Sequence, residues 1–200
     1  MSFDIKKLRE ELSDIVRRFP PFMVTDTYGG WSALSSTGSY LDGWGNGQRA
    51  YNPDFMPGAT MEEKRVALGI KDITSYQKPT EICEGYLRQM LTDVRDAGFS
   101  PLRARIALLK AGGSTTLHRD APAGSYAVRL HIPIVTNEKC ILECEGESVH
   151  LPADGSGYLI RVDRLHQVFN RSTEDRYHFV AAVWDMKHVT KHHQYTRVSK

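Results

Sequence analysis

Along this chain the apolar positions recur at a helical spacing in the first half and at every second residue in the second half. Over residues 3–19, Ile5, Leu8, Leu12, Ile15, Val16 and Phe19 fall on one helical face and Lys6, Lys7, Arg9 and Glu10 occupy the rest. Ser2 is the expected N-cap, and Pro20-Pro21 is a hard stop. A short helix is predicted from Thr60, which forms the capping-box pattern with Glu63, to Gly69. A longer one is predicted from Thr80 to about Ala97, with Ile82, Cys83, Tyr86, Leu87, Met90, Leu91 and Val94 on its buried side and Gly98 ending it.

After Gly98 the pattern alternates. Strands are predicted at 102–110, 126–135, 140–151, 158–162 and 177–185, separated by polar, glycine-rich turns. Short strands in such a series favour an antiparallel sandwich or barrel, so the chain reads as mainly β with helices buttressing it. One domain over 1–200 is expected: a helical, loop-rich part to 98, a β core over 99–186 and a basic tail over 187–200. Between Thr25 and Pro57, glycines alternate with Tyr28, Trp31, Tyr40, Trp44 and Tyr51. That stretch suits either loops anchored by core aromatics or a substrate-facing rim.

Composition narrows the function classes. Net charge is +2 with acids and bases scattered, which gives no electrostatic case for nucleic acid or a membrane surface. No apolar run is long enough to cross a bilayer and the N-terminus does not look like a secretory signal. The three cysteines, Cys83, Cys140 and Cys144, include no CxxC pair and suit free thiols in a reducing compartment, so a cytoplasmic protein is expected. Cys140 and Cys144 read most simply as same-face residues of one strand, and the tail from Lys187 as a solvated terminus.

The chemistry-bearing residues lie in the β half. His118 and Asp120 are two apart and leave one face of an extended segment; His166 arrives later. Two histidines and one carboxylate are the donor set of the facial triad that holds Fe(II) for dioxygen chemistry. Arg129 with His131, and Arg176 with His178, share faces opposite Val128, Leu130, Ile132 and Ile134, and Tyr177 and Phe179. Polar residues facing into a barrel from two strands suggest a charged ligand, because a buried cation is costly without an anion. An arginine fork there suits a dicarboxylate such as 2-oxoglutarate.

These residues resemble the aspartyl/asparaginyl β-hydroxylase family of double-stranded β-helix (jelly-roll, cupin-like) oxygenases. The resemblance runs from about Arg103 to Asp185 and rests on His118-Arg-Asp120, on Arg129-Leu-His-Ile-Pro-Ile-Val-Thr-Asn137, on the turn leading to His166, and on Asp175-Arg176-Tyr-His-Phe-Val180. It implies His118, Asp120 and His166 as iron ligands, Arg176 as the anchor of the distal carboxylate of 2-oxoglutarate, and Arg129 and His131 as contacts to its other end, with His178 in pocket or packing. It also implies Fe(II), 2-oxoglutarate and O2 as the reacting set. Retention of Asp120 sets the chain apart from the animal members that hydroxylate EGF-like domains. It looks more like bacterial or phage members, including the proline cis-4-hydroxylases, which points to a free amino acid or related small molecule as substrate. A peptide or protein side chain is the alternative, and a non-catalytic cupin-like module holding a metal or carboxylate is a third reading. Either arginine could instead pair internally with Glu143, Glu145 or Asp163, and His150 has no assigned role. Oligomeric state is left open.

Overall fold

The computed structural model describes residues 2–44, 50, 54–183 and 195–198. Helix α1 (Ile5–Arg18) is capped by Asp4, whose side chain accepts from the Lys7 N–H, and not by Ser2. Ser2 is instead engaged in a β-bridge with Ser156. The helix buries Leu8, Leu12 and Ile15, while Val16 slips off the edge of the stripe and is exposed. Helix α2 (Met61–Ala67) has the predicted capping box between Thr60 and Glu63.

Helix α3 (Gly85–Asp96) starts five residues later than its pattern suggests. The Thr80 hydroxyl donates to the Ser32 carbonyl, so it is unavailable as a cap, and Gly85 enters the helix with φ 44°. Its open N–H groups at Tyr86 and Leu87 donate to the Glu11 carboxylate of α1. One helix therefore caps the other.

The strands are β1 (Phe22–Met23), β2 (Tyr28–Ser32), β3 (Leu34–Ser35), β4 (Lys78–Pro79), β5 (Pro101–Leu109), β6 (Val128–Val135), β7 (Cys140–Cys144), β8 (Glu147–His150), β9 (Gly157–Arg161), β10 (His166–Asn170), β11 (Arg176–Val183) and β12 (Tyr195–Val198). A large antiparallel sheet runs β1-β2-β5-β11-β6-β9-β12, and a smaller one runs β10-β7-β8. The segment around 114–118 bridges to β10 at Phe169 and His166 and extends the smaller sheet by one edge. Four strands of the large sheet thus face four extended segments, the jelly-roll arrangement expected.

The run 140–151 is a hairpin, because Glu145 (φ 47°) and Gly146 (φ 88°) both take the left-handed turn conformation that a tight hairpin requires. Strand β10 was not foreseen, since Arg164-Leu-His-Gln hides its alternation. The tail is also not simply solvated: β12 pairs with β9, and Arg197 reaches Asp154 at 2.6 Å. The remaining charged residues of the tail, Lys187, His188, Lys191, His192, His193 and Lys200, lie outside the described residues.

The principal core lies between the large sheet and helices α1 and α3. Val128, Leu130, Ile132 and Ile134 point into it together with Trp31, Phe179, Leu87 and Met90. A smaller apolar cluster, Leu109, Leu142, Tyr158, Ile160 and Val168, fills one end of the space between the two sheets. Packing one face of β6 and β11 against the helices leaves their other face to line the barrel.

Candidate metal centre

His118, Asp120 and His166 come together at the barrel mouth, each offering one ligand atom with all three atoms within 4.8 Å of one another. The pairing of two backbones places them: His118 and His166 exchange N–H···O=C bonds of 3.0 and 2.9 Å, and the Asp120 N–H donates to the Val162 carbonyl. The Nδ1 of His118 lies 2.6 Å from the Thr116 carbonyl and the Nδ1 of His166 lies 2.9 Å from the Arg164 carbonyl. A carbonyl only accepts, so each Nδ1 carries a proton and each Nε2 is the nitrogen turned toward the gap. Those Nε2 atoms stand 3.8 and 3.5 Å from the Asp120 carboxylate.

Burial by itself would raise the Asp120 carboxyl, but the Arg129 guanidinium and the two imidazoles outweigh it and hold it far below the usual carboxylate range. Burial also pushes the His118 imidazole down. The set is therefore an ionised carboxylate and two imidazole nitrogens, and Asp120 Oδ2 has no hydrogen-bond donor of good geometry. That donor chemistry fits Fe(II).

Behind the triad the predicted residues line up on β6 and β11. Register pairs Arg129 with Ala182, His131 with Val180, and His178 with Pro133. Arg129 Nη1 lies 2.9 Å from Asp120 Oδ2, so its partner is the triad carboxylate and not Glu143, Glu145 or Asp163. Arg176 is buried and its Nη2 lies 2.9 Å from His178 Nδ1, with no carboxylate pairing it among the described residues. Burial pulls the guanidinium down to about 10, which leaves it cationic at neutral pH. Burial drives His131 and His178 well below the ordinary histidine range, and the neighbouring arginines add to this. His131 Nδ1 and His178 Nε2 are buried without a partner. Arg176 is thus a buried cation beside His131 and His178, a setting in which an anion would lower the cost of burial.

His150 does have a contact, its Nδ1 lying 3.2 Å from the Cys140 carbonyl. Cys140 and Cys144 share one face of β7 as expected, both buried and neither in a disulfide. Cys140 Sγ lies 3.2 Å from Asn170 Oδ1, and Asn170 also donates to the Leu109, Lys110 and Glu174 carbonyls, tying the end of β10 to β5.

In front of the triad opens a cavity of about 890 Å³ whose lining includes His118, Asp120, Arg129, Arg105, Tyr28 and Trp44. The aromatic stretch 25–57 thus divides. Trp31 is a core residue, its indole N–H donating to the Phe19 carbonyl, whereas Tyr28 and Trp44 wall the cavity. Sequence reasoning missed Arg105. The alternation that singled out Arg129 and Arg176 also marks it, because it shares a face with Ala107 and Leu109.

A family model described as Aspartyl/Asparaginyl beta-hydroxylase matches residues 74–186, and the chain belongs to that family. No curated protein matches it. Among solved structures, a 2OG-Fe(II) oxygenase family oxidoreductase from Burkholderia pseudomallei aligns at 13% identity over 90% of this chain and 76% of that one, with a TM-score of 0.46. AviO1 from Streptomyces viridochromogenes aligns at 14% over 92% and 85%, with a TM-score of 0.44. A Cupin 2 conserved barrel protein from Salinispora arenicola aligns at 20% over 44% of this chain, with a TM-score of 0.33, and the match spans 66% of that protein's length.

Proposed function

We propose that the protein is an Fe(II)- and 2-oxoglutarate-dependent dioxygenase that hydroxylates a C–H bond of a free amino acid or related small molecule. The observation that carries this reading is the His118–Asp120–His166 group together with Arg176, a cation buried on the same inward face as His178 and paired with no carboxylate among the described residues. A metal-binding cupin without a dicarboxylate has no need of that arginine.

In this reading His118, Asp120 and His166 hold the iron, and Arg176 with Arg129 and His131 receives the co-substrate. Bound iron supplies the oxidising step, in which 2-oxoglutarate and O2 give succinate, carbon dioxide and a hydroxylated substrate. The chain's own contribution is positional. The Thr116 and Arg164 carbonyls fix the two imidazole rings and their tautomer, and Arg129 keeps Asp120 ionised. His131 and His178, held neutral, leave the charge of Arg176 available for a carboxylate. The apolar face of β6 and β11 seals the chamber from behind, which excludes water and strengthens that charge interaction.

The test is an anaerobic titration with Fe(II) and then 2-oxoglutarate, following the visible metal-to-ligand charge-transfer band. A band present in the wild type and lost in His118→Ala and His166→Ala supports the proposal. Iron binding without a band moves the cupin-like metal-binding reading ahead.

A further inference from the structure

We propose that the molecule hydroxylated is a carboxylic acid lacking a free ammonium group, its carboxylate seated between Arg105 and the indole N–H of Trp44. This rests on the oxygenase reading and narrows the substrate of that same site from free amino acids and related small molecules to the related acids whose amine is blocked or absent.

Arg105 lies on β5 opposite Val180 of β11, which in turn lies opposite His131 of β6. It therefore occupies the same inward row as the proposed co-substrate residues, displaced toward the cavity. Arg105 is only 7% exposed, and its guanidinium stacks on the Trp44 ring at 4.9 Å. Among the described residues no carboxylate pairs with it. Burial disfavours its charge, Tyr28 and the more distant Asp120 offset this only in part, and an anion in contact would relieve the cost. Trp44 is itself buried, and its Nε1, which can only donate, has no acceptor among the described residues. The arginine and the indole donor thus belong to neighbouring residues on the wall of the cavity that contains His118 and Asp120.

The same cavity has little to offer an ammonium. Its lining carboxylates are Asp72 and Asp120. Asp72 accepts from the Thr74 N–H and hydroxyl and pairs with Arg65, and Asp120 belongs to the triad. A zwitterion would place its cation among Arg103, Arg105 and Arg129. An acid with a blocked or absent amine avoids this repulsion. The volume, near the top of the roughly 300–1,000 Å³ range of small-molecule sites, leaves room for an acyl or aryl extension.

The experiment uses protein loaded anaerobically with Fe(II) and 2-oxoglutarate. N-acetyl amino acids carrying aromatic or branched side chains, their primary amides and the parent amino acids are titrated by calorimetry. The acids are expected to bind at least about tenfold more tightly than the amides and the parent amino acids, the scale of a charge-assisted hydrogen bond. Arg105→Met should abolish that preference, leave 2-oxoglutarate affinity unchanged and raise the melting temperature of the ligand-free protein. Failure of every acid to bind, equal binding of acid and amide, or preference for the free amino acid overturns the proposal. So does a lowered melting temperature in Arg105→Met, which would make the arginine a packing element, or a loss of 2-oxoglutarate affinity, which would assign it to the co-substrate. Failure of the wild type to bind Fe(II) and 2-oxoglutarate would strike the oxygenase reading instead, and it is read out separately.

Discussion

Arg129 and Asp120 form an ion pair across the barrel mouth, Nη1 to Oδ2 at 2.9 Å, with only 6% of the Asp120 side chain exposed. The arginine is thus the counter-charge that allows a carboxylate to remain ionised between two imidazoles before any metal arrives. Asp120→Asn should consequently weaken Fe(II) binding by more than about tenfold, as expected when a charged ligand is replaced by a neutral one. It should also destabilise the metal-free protein by about 1–3 kcal/mol, less than for a fully buried pair because Arg129 keeps a solvent-facing edge. Calorimetric titration with Fe(II) and urea unfolding check the two parts. Undiminished metal affinity would remove Asp120 from the ligand set.

Arg176 predicts the opposite sign for stability. It is buried and no carboxylate pairs it among the described residues, so Arg176→Met removes a desolvated charge and keeps most of the volume. The ligand-free variant should melt no lower than the wild type while its 2-oxoglutarate affinity falls by about 10- to 100-fold, the loss of a charge-assisted pair. Thermal melts with and without 2-oxoglutarate separate the two effects. A variant that melts lower and binds 2-oxoglutarate normally would make Arg176 structural.

Much of this site was legible in the sequence because strand geometry is simple. Once Val128, Leu130, Ile132 and Ile134 are read as core, Arg129 and His131 have only the barrel interior left to face, and the same holds for Arg176 and His178. What alternation cannot report is contact between strands distant in sequence. The Arg129–Asp120 pair depends on how the 118–120 segment crosses β6, and the helix start at Gly85 depends on Glu11 of another helix. The hairpin at Glu145-Gly146 was hidden because glutamate is an uncommon residue at positive φ. Trp31 and Trp44 look alike in sequence, and only the packing of β2 against β5 sends one to the core and the other to the cavity.

The two inner histidines give a pH dependence. His131 and His178 titrate well below 6.5 in the folded chain, and in the unfolded chain near 6.5. Below pH 6.5 the unfolded state binds protons that the folded state refuses, so folding stability is full above that pH and declines as pH falls. These two rings contribute up to two protons to the slope between pH 6.5 and the depressed folded values, and His118, also pushed down by burial, adds to it. Urea midpoints from pH 5 to 8 check it, and His178→Phe should lower the slope by up to about one proton. A flat profile would mean that the rings are protonated in the fold.

Arg161 and Asp163 form the most deeply buried ion pair described, with side-chain exposures of 2% and 0% and contacts of 2.7 and 2.6 Å. The pair holds the site from the side. Asp163 accepts the Tyr126 N–H, the Tyr126 ring lies on the Arg161 guanidinium at 4.3 Å, and Tyr126 sits at φ 57° just ahead of the strand that carries Arg129. Between them, Val162 accepts from Asp120 and donates to Ala127. Asp163→Asn should cost about 3–5 kcal/mol, because it leaves Arg161 as a buried charge without its counter-ion. The double variant Arg161→Met/Asp163→Leu should recover most of that loss in urea unfolding, since no lone charge remains. If the pair also aligns the 120–129 segment, the double variant will regain stability yet bind Fe(II) more weakly than the wild type. Full recovery of both would confine the pair to folding.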